Sequence, residues 1–344
     1  MGMNHYGVLI GFMGGYFMAR ITKIGCWIAV TLLSMALFWS VILNIGLLSV
    51  FFRGNNSEEF IVPVDEEPEF EEVWSYGYGD TKVVRIELTG TIERGGQERL
   101  LGRGPDMVES VLAQIQAASN DPYVRAIVLE VDSPGGAITP SDEIYAALRL
   151  FKEVQEDRKI LVFIRDLGAS GAYYAAMAGD YIMAEPTSLV GSVGVIMQSL
   201  NIKELGDKLG LRSVTIASGT NKDMLNPLKE VNPGHVEMLQ GLVDEMQDRF
   251  ASIVMESRGL DSRDLLDGRV FTAQQALEHG LIDRIGYWQE AVEELRTLLE
   301  VEDLFMVRYT QEVGFLDALL GAASTGIPGL NAIESPRLLY QWKP

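Results

Sequence analysis

A serine set among glycines and alanines, a Pro-Gly-Gly turn and a lysine in a turn-rich segment give this chain the means to attack a carbonyl carbon. Ser170 lies in Gly168-Ala169-Ser170-Gly171-Ala172, after a predicted strand and ahead of a short helix of small residues. Its hydroxyl can stand clear of its neighbours, and the start of the helix adds a partial positive charge. The pattern stops one residue short of the Gly-x-Ser-x-Gly elbow, with Ala172 in the last place, so close packing against another helix also fits. The second segment, Ser133-Pro134-Gly135-Gly136, follows another predicted strand. Consecutive glycine amides with no side chain in the way suit an oxyanion, and a tight strand-to-helix turn fits the same residues equally well.

A nucleophilic serine needs a base. His235, in the first turn of a predicted helix, and His279, at a predicted helix end, have ordinary structural roles at those positions. Lysine can serve if burial brings its pKa from about 10.4 toward about 7 to 8. Lys222 lies in Ser218-Gly219-Thr220-Asn221-Lys222-Asp223, flanked by apolar residues, although spacing alone makes a weak case for it.

The elements that must hold these residues alternate strand and helix. Strands are expected over 82–92, 124–131, 160–164 and 181–184, with helices over 105–119, 139–154 and 171–178. Val124 to Val131 is almost continuously apolar, as in a strand covered on both faces. Asn232-Pro233 opens a long helix closed by Gly259, with a stripe of Leu239, Leu242, Val243, Met246, Phe250, Ile253 and Val254 that reads as core or as a seam between subunits. The fold class is therefore α/β with mostly parallel strands, and ligands of such sheets meet the carboxyl ends of the strands, where both glycine-bearing segments lie.

The 344 residues carry 28 Lys+Arg and 48 Asp+Glu, a net charge of −20, with 47% hydrophobic residues. That composition excludes a disordered chain, and its acidity argues against a nucleic-acid partner. One cysteine, Cys26, and three histidines leave no basis for a metal site, and no cofactor is expected. The 29 uncharged residues from Ile24 to Phe52 exceed the roughly 20 needed to cross a membrane, and the bulky exit Leu48-Ser49-Val50-Phe51-Phe52 argues against signal-peptide cleavage. Arg20 and Lys23 ahead of the span orient the N-terminus to the cytoplasm. The expected organisation is a cytoplasmic or interfacial stretch over 1–23, a membrane anchor over 24–52, an acidic linker over 53–80, a catalytic domain over 81–310 and a tail over 311–344. Eight acids between Ser57 and Glu72, with no base among them, give the linker its self-repelling character.

Asp132-Ser133-Pro134-Gly135-Gly136, Gly168-Ala169-Ser170-Gly171-Ala172-Tyr173-Tyr174, Gly191-Ser192-Val193-Gly194-Val195 and Ser218-Gly219-x-x-Lys222-Asp223 occur in the order and approximate spacing of the signal peptide peptidase A family of Ser/Lys proteases, which this chain resembles from about residue 80 to 300. The resemblance implies a ClpP/crotonase-like fold, Ser170 as nucleophile, Lys222 as general base, Ser192 supporting the lysine, and backbone amides of Gly135, Gly136 and Gly171 around the oxyanion. It further implies remnant signal peptides and other short apolar peptides as substrates. With a single catalytic copy, it implies a homo-oligomer in which the serine and lysine of one site come from adjacent subunits, on the extracytoplasmic side of a lipid bilayer. Three other classes are a scaffold of the same fold without activity, a Ser-His-Asp hydrolase, and a crotonase-like acyl-CoA enzyme using Gly135-Gly136. The apolar end of the tail, Pro336-Arg337-Leu338-Leu339-Tyr340-Gln341-Trp342, is expected either to dock on the domain or to occupy the peptide groove.

Overall fold

The computed structural model describes residues 31–44, 68, 70–95, 98–99, 102–103, 106–310 and 338–341. Contacts divide the chain into residues 1–62 and residues 63–344. In the first unit residues 31–44 form helix α1. At 1.5 Å per residue it is about 21 Å long. Among the described residues no helix is long and apolar enough to cross a membrane, and the rest of the expected 24–52 span lies outside them.

In the second unit strands and helices alternate. They are β1 (Glu71–Gly77), β2 (Thr81–Thr89), the two-residue pair β3 (Glu98–Arg99) and β4 (Gly102–Arg103), α2 (Met107–Asn120), β5 (Val124–Ser133), β6 (Gly135–Ala137) and α3 (Ile138–Val154). There follow β7 (Lys159–Ala169), α4 (Gly171–Ala176), β8 (Tyr181–Ala184), β9 (Leu189–Gly191), β10 (Ile196–Met197) and α5 (Lys203–Leu209). A 3-10 turn over Thr220–Asp223 precedes α6 (Pro233–Arg258), β11 (Val270–Thr272), α7 (Ala273–Glu278), β12 (Arg284–Ile285), α8 (Trp288–Leu299), β13 (Leu304–Thr310) and β14 (Leu338–Gln341).

The main sheet runs β1-β13-β2-β5-β7-β8-β12, with β9 attached to the end of β7 and β11 to β9. Its pairings from β13 to β12 are parallel, as is β7 with β9, whereas β1 with β13 and β9 with β11 are antiparallel. Alternation along β5 sends Ile127, Leu129 and Val131 to one face, with Val111 and Ile115 of α2 and Ile144 and Leu148 of α3 in the same core. It sends Ala126 and Val128 to the other, where α8 contributes Ala291, Val292 and Leu295. Both faces are thus covered, which is why the strand reads as continuously apolar.

Several boundaries differ from the sequence expectation: β2 ends at Thr89 rather than Ile92, α2 opens at Met107 behind an Asp106 cap rather than at Pro105, and β7 runs on to Ala169 rather than ending at Ile164. The sheet begins at Glu71 rather than near Thr81, because β1, despite its acidic opening, pairs with β13. Helix α3 begins at Ile138 rather than at a Thr139 cap: the Ser141 hydroxyl donates back to the Ala137 carbonyl at 2.8 Å, which places the helical turn two residues earlier. The long helix is bounded as expected, with the Asn232 side chain accepting from the Gly234 amide at its start and Gly259 at φ 62° at its end. Its stripe is divided: Phe250 and Val254 are buried in the core, whereas Leu242 is exposed.

Candidate active site

Ser170 sits where β7 gives way to α4. The last residues of β7 run beside β9, Leu167 with Leu189, Gly168 with Val190 and Ala169 with Gly191, while Gly168 also registers with Ser133 of β5. A Cβ on Gly168 would lie 2.8 Å from the Ile164 side chain, so this passage requires glycine. The chain then turns through Ser170 at φ 56° and ψ −121°. Its amide donates to the Gly191 carbonyl at 2.7 Å, and its carbonyl accepts from the Tyr174 amide at 2.8 Å. Positive φ at a non-glycine residue costs about 1–3 kcal/mol, comparable with the roughly 1.5–3 kcal/mol from burying one core side chain such as Val190. The residue is 1% exposed, and its Oγ has no hydrogen-bond partner among the described residues. A buried hydroxyl left in that state costs about 1–3 kcal/mol more. Strain and an idle polar atom thus coincide at one position, which makes it a candidate functional centre.

The glycine turn lies next to it in the sheet. Gly135 has φ 86°, and its amide donates to Ser133 Oγ at 3.1 Å. The carbonyl of Gly135 and the amide of Ala137 both bond to Ile92, at 2.9 and 2.8 Å. Because strand groups alternate in direction, the amide and carbonyl of Gly136 face the opposite edge. A Cβ on Gly136 would lie 2.2 Å from the Ile92 carbonyl oxygen. Of the three expected oxyanion donors, Gly135 therefore has a local acceptor, Gly136 points away from Ile92, and Gly171 opens α4, where helix amides lack partners within the helix. Ser133 is the contributor that the sequence reading passed over. Its signal was a hydroxyl two residues ahead of a glycine, the spacing of a side-chain turn.

Ser192 is 7% exposed, stands at φ 53° and follows the Gly191 carbonyl that Ser170 engages; its own amide donates to Arg269 O at 2.8 Å. Lys222 is exposed, in the 3-10 turn, and is not hydrogen-bonded to Ser170, whose Oγ has no partner among the described residues. Beside it, hydrogen bonds from Lys229 and Asn226 hold the Asp223 carboxyl below the usual carboxylate range. His279 is exposed and packs against Phe271 at 5.4 Å between centroids. At the end of β5, burial and then the charge of Asp166 push the Asp132 carboxyl up. No group of metal-ligating side chains occurs among the described residues.

The tail returns to this place. Strand β14 forms the centre of a three-stranded sheet, β10-β14-β6. It runs antiparallel to β6, with Tyr340 opposite Gly136 and Gln341 opposite Gly135, and antiparallel to β10, with Leu339 opposite Ile196. It also lies beside α3 and α4.

Comparison with known proteins gives the chain a family. The model of peptidase family S49 matches residues 152–302, which include Ser170, Ser192 and Lys222. A protein of Enterococcus faecium named "Putative signal peptide peptidase SppA" is 32% identical over 273 residues, covering 78% of this chain and 79% of that protein. A Synechocystis protein whose name gives it as a protease is 36% identical over 220 residues, or 63% of this chain and 74% of its own length. Protease 4 of Salmonella typhi is 26% identical over 222 residues, 64% of this chain against 35% of that longer protein.

Proposed function

Because the chain belongs to peptidase family S49, the family of signal peptide peptidase A, we propose that it is a membrane-anchored serine endopeptidase with Ser170 as nucleophile and Lys222 as general base, acting on remnant signal peptides and other short apolar peptides. The observation that carries this reading is the Ser170 hydroxyl, buried, on a strained turn and without a partner among the described residues. The Lys222 amine takes the hydroxyl proton as Oγ attacks the peptide carbonyl, then returns it to the leaving amine, and water releases the acyl-enzyme. The amides of Gly136 and Gly171 stabilise the oxyanion, Gly135 is held by Ser133, and Ser192 supports the lysine.

Lys222 is exposed in the protomer, whereas a lysine that serves as a base works shielded from water, so the reading requires a cover from beyond the protomer. The segment ahead of Lys222 leaves apolar side chains uncovered, with Val214 88% and Ile216 97% exposed. That supports a second copy of the chain covering it and receiving Lys222 at its own Ser170. Peptide binding is supported by β14, an extended segment lying between β6 and β10: the same slot takes a substrate as an added strand, through main-chain hydrogen bonds. The tail then acts as a competitor for that slot. The 29 uncharged residues over 24–52, part of them in α1, support an anchor, and Arg20 and Lys23 ahead of them support a catalytic unit on the extracytoplasmic side. The doubly covered parallel sheet, with Ser170 at the end of β7, supports a ClpP/crotonase-like architecture.

An activated fluorophosphonate tests the reading. The wild-type chain is expected to be labelled at Ser170, and Lys222→Ala to be labelled far more slowly. A scaffold without activity, or an acyl-CoA enzyme, has no reason to activate that serine and would remain unlabelled.

A further inference from the structure

Helix α4, which follows Ser170, has six residues and no side-chain cap, too few to be stable by itself. Something else must fix its direction and with it the Ser170 turn. Tyr173 is anchored by its hydroxyl, which donates to the Leu281 carbonyl at 2.6 Å. Tyr174 is anchored differently. Its hydroxyl donates to Asp142 Oδ1 at 2.5 Å and accepts from Arg249 Nε at 3.0 Å, while Arg249 Nη2 donates to the same Asp142 oxygen at 2.6 Å. The Tyr174 ring lies 5.4 Å from Tyr145 of α3 and 5.0 Å from Phe250 of α6, between centroids.

These partners come from the segments that supply the rest of the site. Asp142 is on α3, the helix that continues directly from the Gly135–Ala137 strand. Arg249 is on α6, which follows the segment bearing Lys222. Tyr174 is the residue whose amide closes on the Ser170 carbonyl. We propose that Asp142, Tyr174 and Arg249 form a positioning cluster that sets the Ser170 turn relative to the oxyanion strand and to the helix behind the base. The hydrogen bonds to a charged pair make the tyrosine hydroxyl a directional anchor, which ring packing alone does not provide. The inference rests on Ser170 being the nucleophile, and a displacement on the order of 1 Å at a reacting group is worth about 10²-fold in rate.

The test uses the full-length protein and the variants Tyr174→Phe, Arg249→Met and Arg249→Lys. Ser170 labelling by a fluorophosphonate, kcat and KM on a signal-peptide-like substrate, oligomer mass and thermal melting are measured for each. Tyr174→Phe and Arg249→Met are expected to lose about 10- to 100-fold in labelling rate and kcat, with KM within about threefold and the assembly retained, while Arg249→Lys recovers part of the loss. Wild-type kcat in Tyr174→Phe, or no difference between Arg249→Met and Arg249→Lys, overturns the proposal. So does a loss in Arg249→Met that follows assembly or melting alone; Arg249 is half-exposed, so this variant stays informative if Tyr174→Phe does not fold. An unlabelled wild-type protein would instead overturn the nucleophile assignment, which keeps the two failures apart.

Discussion

Ser170 and Ser192, two of the four non-glycine residues at positive φ among the described residues, are joined through one hydrogen bond: the Ser170 amide donates to the carbonyl of Gly191, the residue before Ser192. Two adverse backbone conformations, each costing about 1–3 kcal/mol, thus brace one another. Movement at either serine is felt at the other, so the proposed nucleophile and the residue proposed to support its base share a common frame.

Ser170→Ala and Lys222→Ala are each expected to lower cleavage of a signal-peptide-like substrate by roughly 10³-fold or more. Mixing the two inactive variants should restore part of the activity, since a mixed assembly contains sites with both residues. Full turnover in either single variant removes the dyad; mixtures that stay inactive remove only the sharing between subunits.

Ile216→Glu should break the assembly. It places a charge on a side chain that is almost wholly exposed in the protomer and needs an apolar partner. A fall in mass by light scattering, with activity lost in proportion, is the expected result; an intact, active oligomer would mean that this surface faces solvent.

Gly136→Ala should reduce kcat by about 10²- to 10³-fold, because its Cβ would collide with the Ile92 carbonyl oxygen at 2.2 Å. Displacement of β6 would carry the Gly136 amide away from the developing oxyanion. Wild-type kcat in a folded Gly136→Ala protein would exclude that amide as a donor.

Much of this site was legible in the sequence, and its limits have physical causes. The apolar run of β5 and the small residues after β7 announce a doubly covered strand and a close turn, so Ser170 and Gly136 could be singled out as candidates from residue types. The state of Ser170 could not, since neither its positive φ nor its idle hydroxyl leaves a local signature. Tyr174 meets Asp142 across 32 positions, and Asp142 meets Arg249 across 107, beyond the reach of any periodicity. Strand β1 was hidden by its setting: Glu71 and Glu72 read as the end of the acidic linker, while in the fold Glu72 is paired with Lys82 at 2.5 Å.

The pH dependence of stability should carry the mark of Asp132, whose carboxyl is pushed up by burial and then by Asp166. Its folded pKa exceeds its unfolded one, so the native state binds the proton more tightly and stability from this group falls as pH rises through that window. Asp132→Asn is therefore expected to melt higher than wild type at pH 7.5, with the difference vanishing toward pH of about 4. Equal melting temperatures at pH 7.5 would contradict it.

Truncation after Gly321 should raise turnover at low substrate concentration. A tethered segment competes at an effective concentration of about 1 mM, so its removal is expected to lift kcat/KM by roughly two- to tenfold, mainly through KM. Unchanged kcat/KM would mean that β14 does not exclude substrate.

Strand β10 pairs with β14 and with no other strand among the described residues. One wall of the slot is therefore completed by its occupant, and the grip on that occupant is a ladder of amides and carbonyls common to every polypeptide. If substrate takes the place of β14 as proposed, the enzyme would be indifferent to much of what it digests, and its selectivity would come from which chains can be drawn out straight and delivered to it.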